Sequence, residues 1–416
     1  MDVFLSPPAV LCCAGGDRES FFAAACRGDQ GGIQPVAVPG GRAFFAGRIR
    51  GDLPEAPDLP GLAAPPEFAA DTRIFRMAAA AIEKLRPSVE KALALYGAGR
   101  VGVCLGSCDN GTEASVPAHR AFFAGGGFPG NYELRFQGAS LLAEYIAGIS
   151  GAGGPALTVA TACASGAGAV AKGAEFIRAG FCDAVIAGGA DIVSDTVLLG
   201  FSSLEAVSDT VTNPFSKNRK GITLGEGAAF FVLSKDDPGD AEGIALLGAG
   251  ESADAFHMTA PREDGRGAIR AMRAALRDAG MGPGAIDYIN LHGTGTPLND
   301  RMEALAVRAV FGEEQPPASS TKPVTGHTLG AAGALELALC WMTLAKAAAK
   351  GPAKAAGAEN GKAAIPAHCW DGEHDSAMPR LRLGEKYFPA GFVPRACMSN
   401  SFAFGGCNVC LIAGKR

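Results

Sequence analysis

Residues 156–189 most constrain what this chain can fold into. An apolar run over 156–162 leads into Thr161-Ala162-Cys163-Ala164-Ser165-Gly166, and a small-residue helical stretch follows over 164–179. Gly180 ends that stretch, and a second apolar run over 184–187 closes in Gly188-Gly189. Strand, helix and strand within so few residues require a crossover between parallel neighbours, hence an α/β sheet. Ala and Gly along the helix point to tight backbone approach and close helix packing.

The same rhythm recurs. An apolar run over 101–105 ends in Gly106-Ser107 and reads as a buried strand and turn. Helical periodicity covers 266–279 with Gly280 as its stop, and a strand over 286–291 ends at His292. Helices are expected over 301–311 and 328–349, and late strands over 395–399 and 407–413 around Phe404-Gly405-Gly406. Two halves of similar rhythm, 1–250 and 251–416, follow from this reading, without any literal repeat. The stretch 346–362, mostly Lys, Ala and Gly, reads as a helix end and surface loop.

Bulk composition narrows the function. The 416 residues carry a formal charge of -5 from 37 basic and 42 acidic side chains, with no long block of either sign, which argues against nucleic acid as the main partner. Twelve cysteines scattered through apolar runs suit buried thiols in a reducing compartment rather than a disulfide framework. The start, Met1-Asp2-Val3-Phe4, makes a poor signal peptide. Residues 329–345 are apolar but contain Glu336, so a buried helix is expected and no membrane insertion. The expected location is the cytoplasm.

No metal is expected. Cys407 and Cys410 are three apart in a strand-like run and would point to opposite faces. His368 and His374, around Trp370, Asp371 and Glu373, read as loop polarity.

Cys163 is the candidate nucleophile. A cysteine in the first turn of a helix meets free N–H groups and the positive end of the helix dipole, which favour the thiolate. His292 precedes Gly293-Thr294-Gly295-Thr296-Pro297, and the hydroxyls of Thr294 and Thr296 are expected to orient its ring. His327 follows Lys322-Pro323-Val324-Thr325-Gly326 and precedes a helix. A cysteine, two histidines and a lysine suit acyl transfer followed by carbon–carbon bond formation. The tetrahedral oxyanion would take backbone N–H groups of Cys163 and of the Phe404-Gly405-Gly406 turn. Two neutral imidazoles would stabilise an enolate through Nε–H, and the charge of Lys322 would keep them neutral.

These residues resemble the elongating β-ketoacyl-[acyl carrier protein] synthases, type II condensing enzymes of the thiolase superfamily. The likeness runs through Thr161–Gly166, Asn213-Pro214-Phe215, Gly225-Glu226-Gly227, His292–Pro297, Ser319–Lys322, Thr325-Gly326-His327, Leu329–Gly333 and Asn400–Gly406. It implies a thiolase-like duplicated five-layer α-β-α-β-α fold, with the nucleophile in the first half and the histidines and lysine in the second. Cys163 matches the acylated nucleophile, His292 and His327 the decarboxylation pair, and Lys322 the site lysine. Glu303 matches an acid that organises the site near that lysine. Phe404 matches the gatekeeper beside the nucleophile, with Gly405 in its turn.

The implied reaction is decarboxylative Claisen condensation of the Cys163-bound acyl group with malonyl-[acyl carrier protein]. No cofactor is implied beyond the carrier's phosphopantetheine arm. The implied partners are acyl carrier protein and a second copy in a homodimer, with a related ketosynthase-like subunit as the heterodimer alternative. Carrier protein is acidic, so Lys217, Arg219 and Lys220 beside the Asn-Pro-Phe motif are the expected docking patch.

Initiating synthases place asparagine where this chain has His327, and chain-length-factor subunits lack the nucleophile. A thiolase or simple acyltransferase, or a non-catalytic partner subunit, stand as alternatives. Two departures from the family pattern, the Gly106–Gly111 turn and the opening segment, point to specialised synthesis such as that of aryl polyenes. Within that turn Asp109 is placed near the acyl pocket or facing a partner or solvent. Cys407 replaces a common threonine.

Overall fold

The computed structural model describes the chain except for residues 58–71, 110, 131, 238, 240–241, 355–364 and 389–391. Two sets of five strands build it. In chain order, the first set is the N-terminal strand (Val3–Leu5 and its continuation Ala9–Cys12), Val101–Gly106, Ala156–Val159, Ala184–Asp191 and Gly227–Ser234. The second is Ile244–Ala253, Tyr288–Asn290, Ala318–Ser319, Ala396–Phe402 and Cys407–Lys415. Both sets have the same spatial order: third, second, fourth, fifth, first.

Orientation repeats too. In each set the second strand runs parallel to the third and fourth, and the fifth is antiparallel to the fourth and first. Val3–Leu5 pairs with both Gly227–Ser234 and Ile244–Ala253, so the two sets join as one 11-stranded sheet. The strand Ile244–Ala253 crosses the 250/251 division, and the second set begins at Ile244.

Apart from the edge strand Ala156–Val159 and the far end of Ile244–Ala253, the strands of this sheet are buried on both faces and sort their side chains with period two. Val185, Ala187, Phe231, Leu233, Val409, Leu411 and Ala413 enter one shared core with the helices Ser165–Arg178 and Ala332–Lys354. Ala184, Ile186, Phe230 and Val232 point the other way, onto Arg73–Tyr96 and Leu141–Ser150. Cys410 and Ile412 meet Arg266–Asp278 and Pro297–Phe311. The layers are therefore helices, sheet, two central helices, sheet, helices, the duplicated five-layer arrangement. Cys407 packs toward the central core and Cys410 toward the outer one, on opposite faces of their strand.

The central helices explain the small-residue stretches. Ser165–Arg178 must fit between two sheets, and a side chain on Gly173 would press on Val185, Ala187 and Leu233. The apolar run from Leu329 is long enough to cross a membrane but lies within the protein as the other central helix, 94% buried. It begins with the 3₁₀ turn Leu329–Ala331 and runs as α-helix over Ala332–Lys354. The expected surface loop lies partly in that helix and partly, at 355–364, outside the described residues. The helix expected over 301–311 starts one turn earlier, with Pro297 in its first turn, where a missing N–H costs nothing.

Candidate active site

The site forms where the carboxyl ends of second and third strands from both sets converge, the usual location in parallel sheets. Ala156–Val159 delivers Cys163, Tyr288–Asn290 delivers His292, and Ala318–Ser319 delivers Lys322 and His327. The two halves present related turns here. Ala162–Ala164 and Leu329–Ala331 are both 3₁₀ turns leading into the central helices. Each contains a non-glycine residue in the left-handed region, Ala162 at φ 50° and Leu329 at φ 53°. Such conformations store strain and persist only where the surroundings enforce them. Ser165 does so around Cys163: its Oγ accepts from the Thr161 N–H at 2.9 Å and donates to the Ala162 carbonyl at 2.6 Å.

In the second half Gly330 stands where Cys163 stands in the first. Its N–H donates to Asp191 at 2.5 Å, and a Cβ there would lie 2.5 Å from the same carboxylate. Asp191 also accepts from Ser107 Oγ and from the Cys108 and Asp109 N–H groups, tying the two sheet ends together.

Cys163 is buried, with its sulfur opening to a cavity of about 380 Å³ shared with His292, His327, Thr294, Thr296 and Phe404. Burial pushes its thiol up to about 11, against the downward pull of Lys322 and of the Phe404 and Cys163 backbone N–H groups. The expected pull of the local N–H groups toward the thiolate is present, but burial of the sulfur opposes it. Desolvation of the charged form outweighs the nearby positive groups. The same observation places the Phe404 and Cys163 amides against the sulfur. The Phe404 ring stacks on Phe201 with centroids 5.8 Å apart, and Gly405, at φ 81°, donates its N–H to the Met258 carbonyl at 2.7 Å.

The His292 and His327 rings lie 5.3 Å apart and nearly perpendicular. Both are held well below the ordinary histidine range, first by burial and then by the charge of Lys322. Both are therefore neutral. His327 Nδ1 accepts the Leu329 N–H at 3.3 Å, which puts the ring proton on Nε2.

The acid assignments change. Glu303 does not reach Lys322: its carboxylate accepts from the His292 and Gly293 N–H groups at 2.8 and 2.7 Å and from Asn400 at 3.2 Å. It fixes the His292 backbone. The buried partner of Lys322 is Glu336, on the central helix, whose carboxyl burial raises to about 7. A lone carboxylate in an otherwise apolar run was the signal for it, since a buried charge requires a partner.

Thr294 and Thr296 bond to each other, Oγ1 to Oγ1 at 3.0 Å, and not to His292, whose Nδ1 has no partner among the described residues. Asp300, also unforeseen, accepts from Phe215 and Gly295 N–H groups and locks the Asn213-Pro214-Phe215 loop to the histidine turn. Asp109 is the N-terminal anchor of the helix Thr112–Ala121, accepting from Gly111 N–H and from Thr112. It lines a separate small cavity with Phe75, Phe136 and Leu142.

Each cation of the expected docking patch has a carboxylate beside it, in ion pairs that for Lys217 and Lys220 are solvent-exposed. Lys217 pairs with Glu373, Arg219 with Asp375 and Lys220 with Asp209.

Comparison with known proteins finds similar chains in one family. The profile of the β-ketoacyl synthase N-terminal domain matches residues 73–238, and that of the C-terminal domain matches residues 244–351. Nodulation protein E of Rhizobium meliloti is 35% identical over 324 residues, 75% of this chain and 75% of that protein. 3-Oxoacyl-[acyl-carrier-protein] synthase 2 of Vibrio cholerae is 37% identical over 265 residues, 59% of this chain and 63% of that protein. A chain from the complex of a ketosynthase with its chain length factor, from Xenorhabdus doucetiae, superposes with TM-score 0.87 at 36% identity, over 100% of this chain and 98% of that one. A chain of the ishigamide ketosynthase/chain length factor superposes with TM-score 0.81 at 29% identity, over 100% and 99%.

Proposed function

This chain belongs to the β-ketoacyl synthase family, and from that premise we propose that it condenses a Cys163-bound acyl group with malonyl-[acyl carrier protein]. The observation that carries the reading is the neutral imidazole pair beside the thiol, with the proton of His327 on Nε2. Imidazoles held so far below their ordinary range are weak bases, and as neutral N–H donors they suit an enolate oxygen better than proton abstraction.

In the first half-reaction Cys163 Sγ attacks the carrier thioester carbonyl. The oxyanion takes the Cys163 and Phe404 N–H groups, and the carrier thiol leaves with the proton Cys163 gave up. In the second, the bond between C2 and the carboxylate of malonyl thioester breaks and CO₂ leaves. The electron pair moves onto the thioester oxygen, where the imidazole N–H groups of His292 and His327 stabilise it. C2 then attacks the acyl carbonyl on Cys163, the cysteine thiolate departs, and β-ketoacyl-[acyl carrier protein] is released. Lys322, held by Glu336, keeps the imidazoles neutral, and Glu303 positions His292. The substrates ride on the carrier's phosphopantetheine arm, with no other cofactor.

Likeness to chains of ketosynthase–chain length factor complexes supports specialised synthesis and a second, ketosynthase-like subunit as partner, rather than a homodimer. The strand Ala156–Val159 is the sheet edge, and Phe122, Phe123, Phe128 and Leu134 are exposed, a face suited to such a subunit. The twelve free thiols suit the cytoplasm.

Intact mass after incubation with acyl-loaded carrier protein tests the reading. A Cys163-dependent acyl adduct, discharged by malonyl-carrier protein with release of CO₂, is expected. An adduct discharged by acetyl thioester without CO₂ would favour a thiolase, and no adduct in the presence of a partner subunit would favour a non-catalytic role.

A further inference from the structure

His368 lies in the irregular segment between the central helix Ala332–Lys354 and the strand Ala396–Phe402, where the sequence reads as loop polarity. The structure turns its ring inward. The Ala367 N–H donates to the Ala25 carbonyl at 2.9 Å, and the Cys369 thiol reaches the Gly28 carbonyl at 3.6 Å. Further along, the Asp371 carboxylate accepts from Asn213, Ser216 and Asn218, in and beside the Asn-Pro-Phe loop. The backbone is therefore held on both sides of His368.

The ring meets two residues that adjoin the catalytic ones. Its Nδ1 accepts the Ser320 N–H at 3.1 Å. Ser320 in turn donates its Oγ to the Gly293 carbonyl at 2.6 Å and accepts the Lys322 N–H at 3.4 Å. One serine thus ties the turn after His292 to the turn that carries Lys322. The His368 ring also packs against Phe215, with centroids 6.0 Å apart, and against Trp370 at 5.6 Å. Phe215 is in the left-handed region at φ 63°, and a Cβ on Gly293 would lie 2.8 Å from its ring. Such a backbone persists only where its surroundings enforce it, and the Asp300 carboxylate and the His368 ring both bear on Phe215.

Ser320 is fully buried, and among the described residues His368 is the acceptor for its N–H. A buried amide left without an acceptor is costly, so the turn would move to find another. Burial lowers His368 to about 4, against the opposing pull of the Pro214 backbone, and the neutral ring leaves Nδ1 free to accept. His368 lines no part of the Cys163 cavity. Its influence on the chemistry passes through Ser320 and Phe215.

We propose that His368 is a positioning residue: by accepting the Ser320 N–H and backing Phe215, it holds the Lys322 turn in register with the His292 turn. The assignment rests on the function proposed above. Small displacements of such groups are expensive because the enolate must meet both imidazoles at once.

The test uses three variants. H368L and H368A remove the acceptor, so loss of the fold in one leaves the other to read. H368N keeps an acceptor oxygen near the place of Nδ1. Condensation with malonyl-carrier protein is followed as kcat and KM. Alkylation of Cys163 by iodoacetamide is followed by the mass of its peptide, because Lys322 pulls that thiol down whether or not the chain condenses anything. In H368L and H368A, kcat should fall by about tenfold to a hundredfold with KM little changed. Alkylation should slow by about threefold, the thiolate lost when the thiol rises half a pH unit. H368N should recover most of both. Equal losses in H368N, H368L and H368A, or a change confined to the melting temperature, would overturn the positioning role. Alkylation slowed in H368L and H368A and restored in H368N, with no condensation even by wild type, would keep that role and overturn the reaction.

Discussion

At the residue scale, burial in the resting site opposes a negative charge on Cys163. Burial holds the Cys163 thiol at about 11, while Lys322 and two amides pull it down. A raised acid is protonated below its pKa, so the thiolate fraction grows about tenfold per pH unit up to that value. Alkylation of Cys163 by iodoacetamide should therefore accelerate through the alkaline range, and Lys322→Met should displace the profile further up. A plateau near neutral pH would refute the balance of forces described. The Lys322–Glu336 pair is buried on both sides. Glu336→Leu strands a buried ammonium and should lose about 3–5 kcal/mol in urea unfolding. The variant should also lose decarboxylation of malonyl thioester disproportionately to acylation of Cys163. Sequence resemblance pointed to Glu303 for the lysine because chain order says nothing of which acid faces which cation. Glu303 instead meets the His292 and Gly293 amides.

At the element scale, the site depends on backbones meeting without side chains between them. A Cβ on Gly106 would sit 2.3 Å from the backbone of Ser165 and Gly166, and one on Gly166 would sit 2.6 Å from the Gly330 carbonyl. Gly106→Ala should therefore cost about 1–3 kcal/mol of stability, and acylation of Cys163 should slow because the strained turn moves with the helix. Denaturant melts beside single-turnover acylation measure both. The crossover unit around Cys163 was legible because apolar runs and glycines punctuate it. The strands Gly227–Ser234 and Ile244–Ala253 and the helix Arg73–Tyr96 were not read, although Gly227–Ser234 is buried on both faces. Strands buried on both faces lose the alternation that marks them in sequence.

For the whole molecule, two sets of strands with one shared order explain why function is divided. Cys163 follows the third strand of the first set, and His292, Lys322 and His327 follow the second and third strands of the other. Neither half holds the full constellation, so the central core that binds them together is also what aligns the chemistry. The exposed Phe122, Phe123, Phe128 and Leu134 give the assembly its own prediction. Phe123→Glu should abolish association with a ketosynthase-like partner in analytical ultracentrifugation while leaving the melting temperature of the isolated chain unchanged. A complex that survives this change would place the interface elsewhere.

By itself, the sequence determined the α/β class, the elements that carry Cys163, His292, Lys322 and His327, and, through its motifs, the family. Those features are local, written in apolar period, glycine stops and residue type. Only the tertiary structure decided which charges meet: Glu336 with Lys322, Glu303 with the His292 amide, and Glu373, Asp375 and Asp209 with the cations expected to dock a carrier. It also decided that the Cys163 thiol is raised and not lowered. Burial and pairing depend on neighbours distant in the chain, and electrostatic energy in a desolvated interior is set by those neighbours more than by the residue itself.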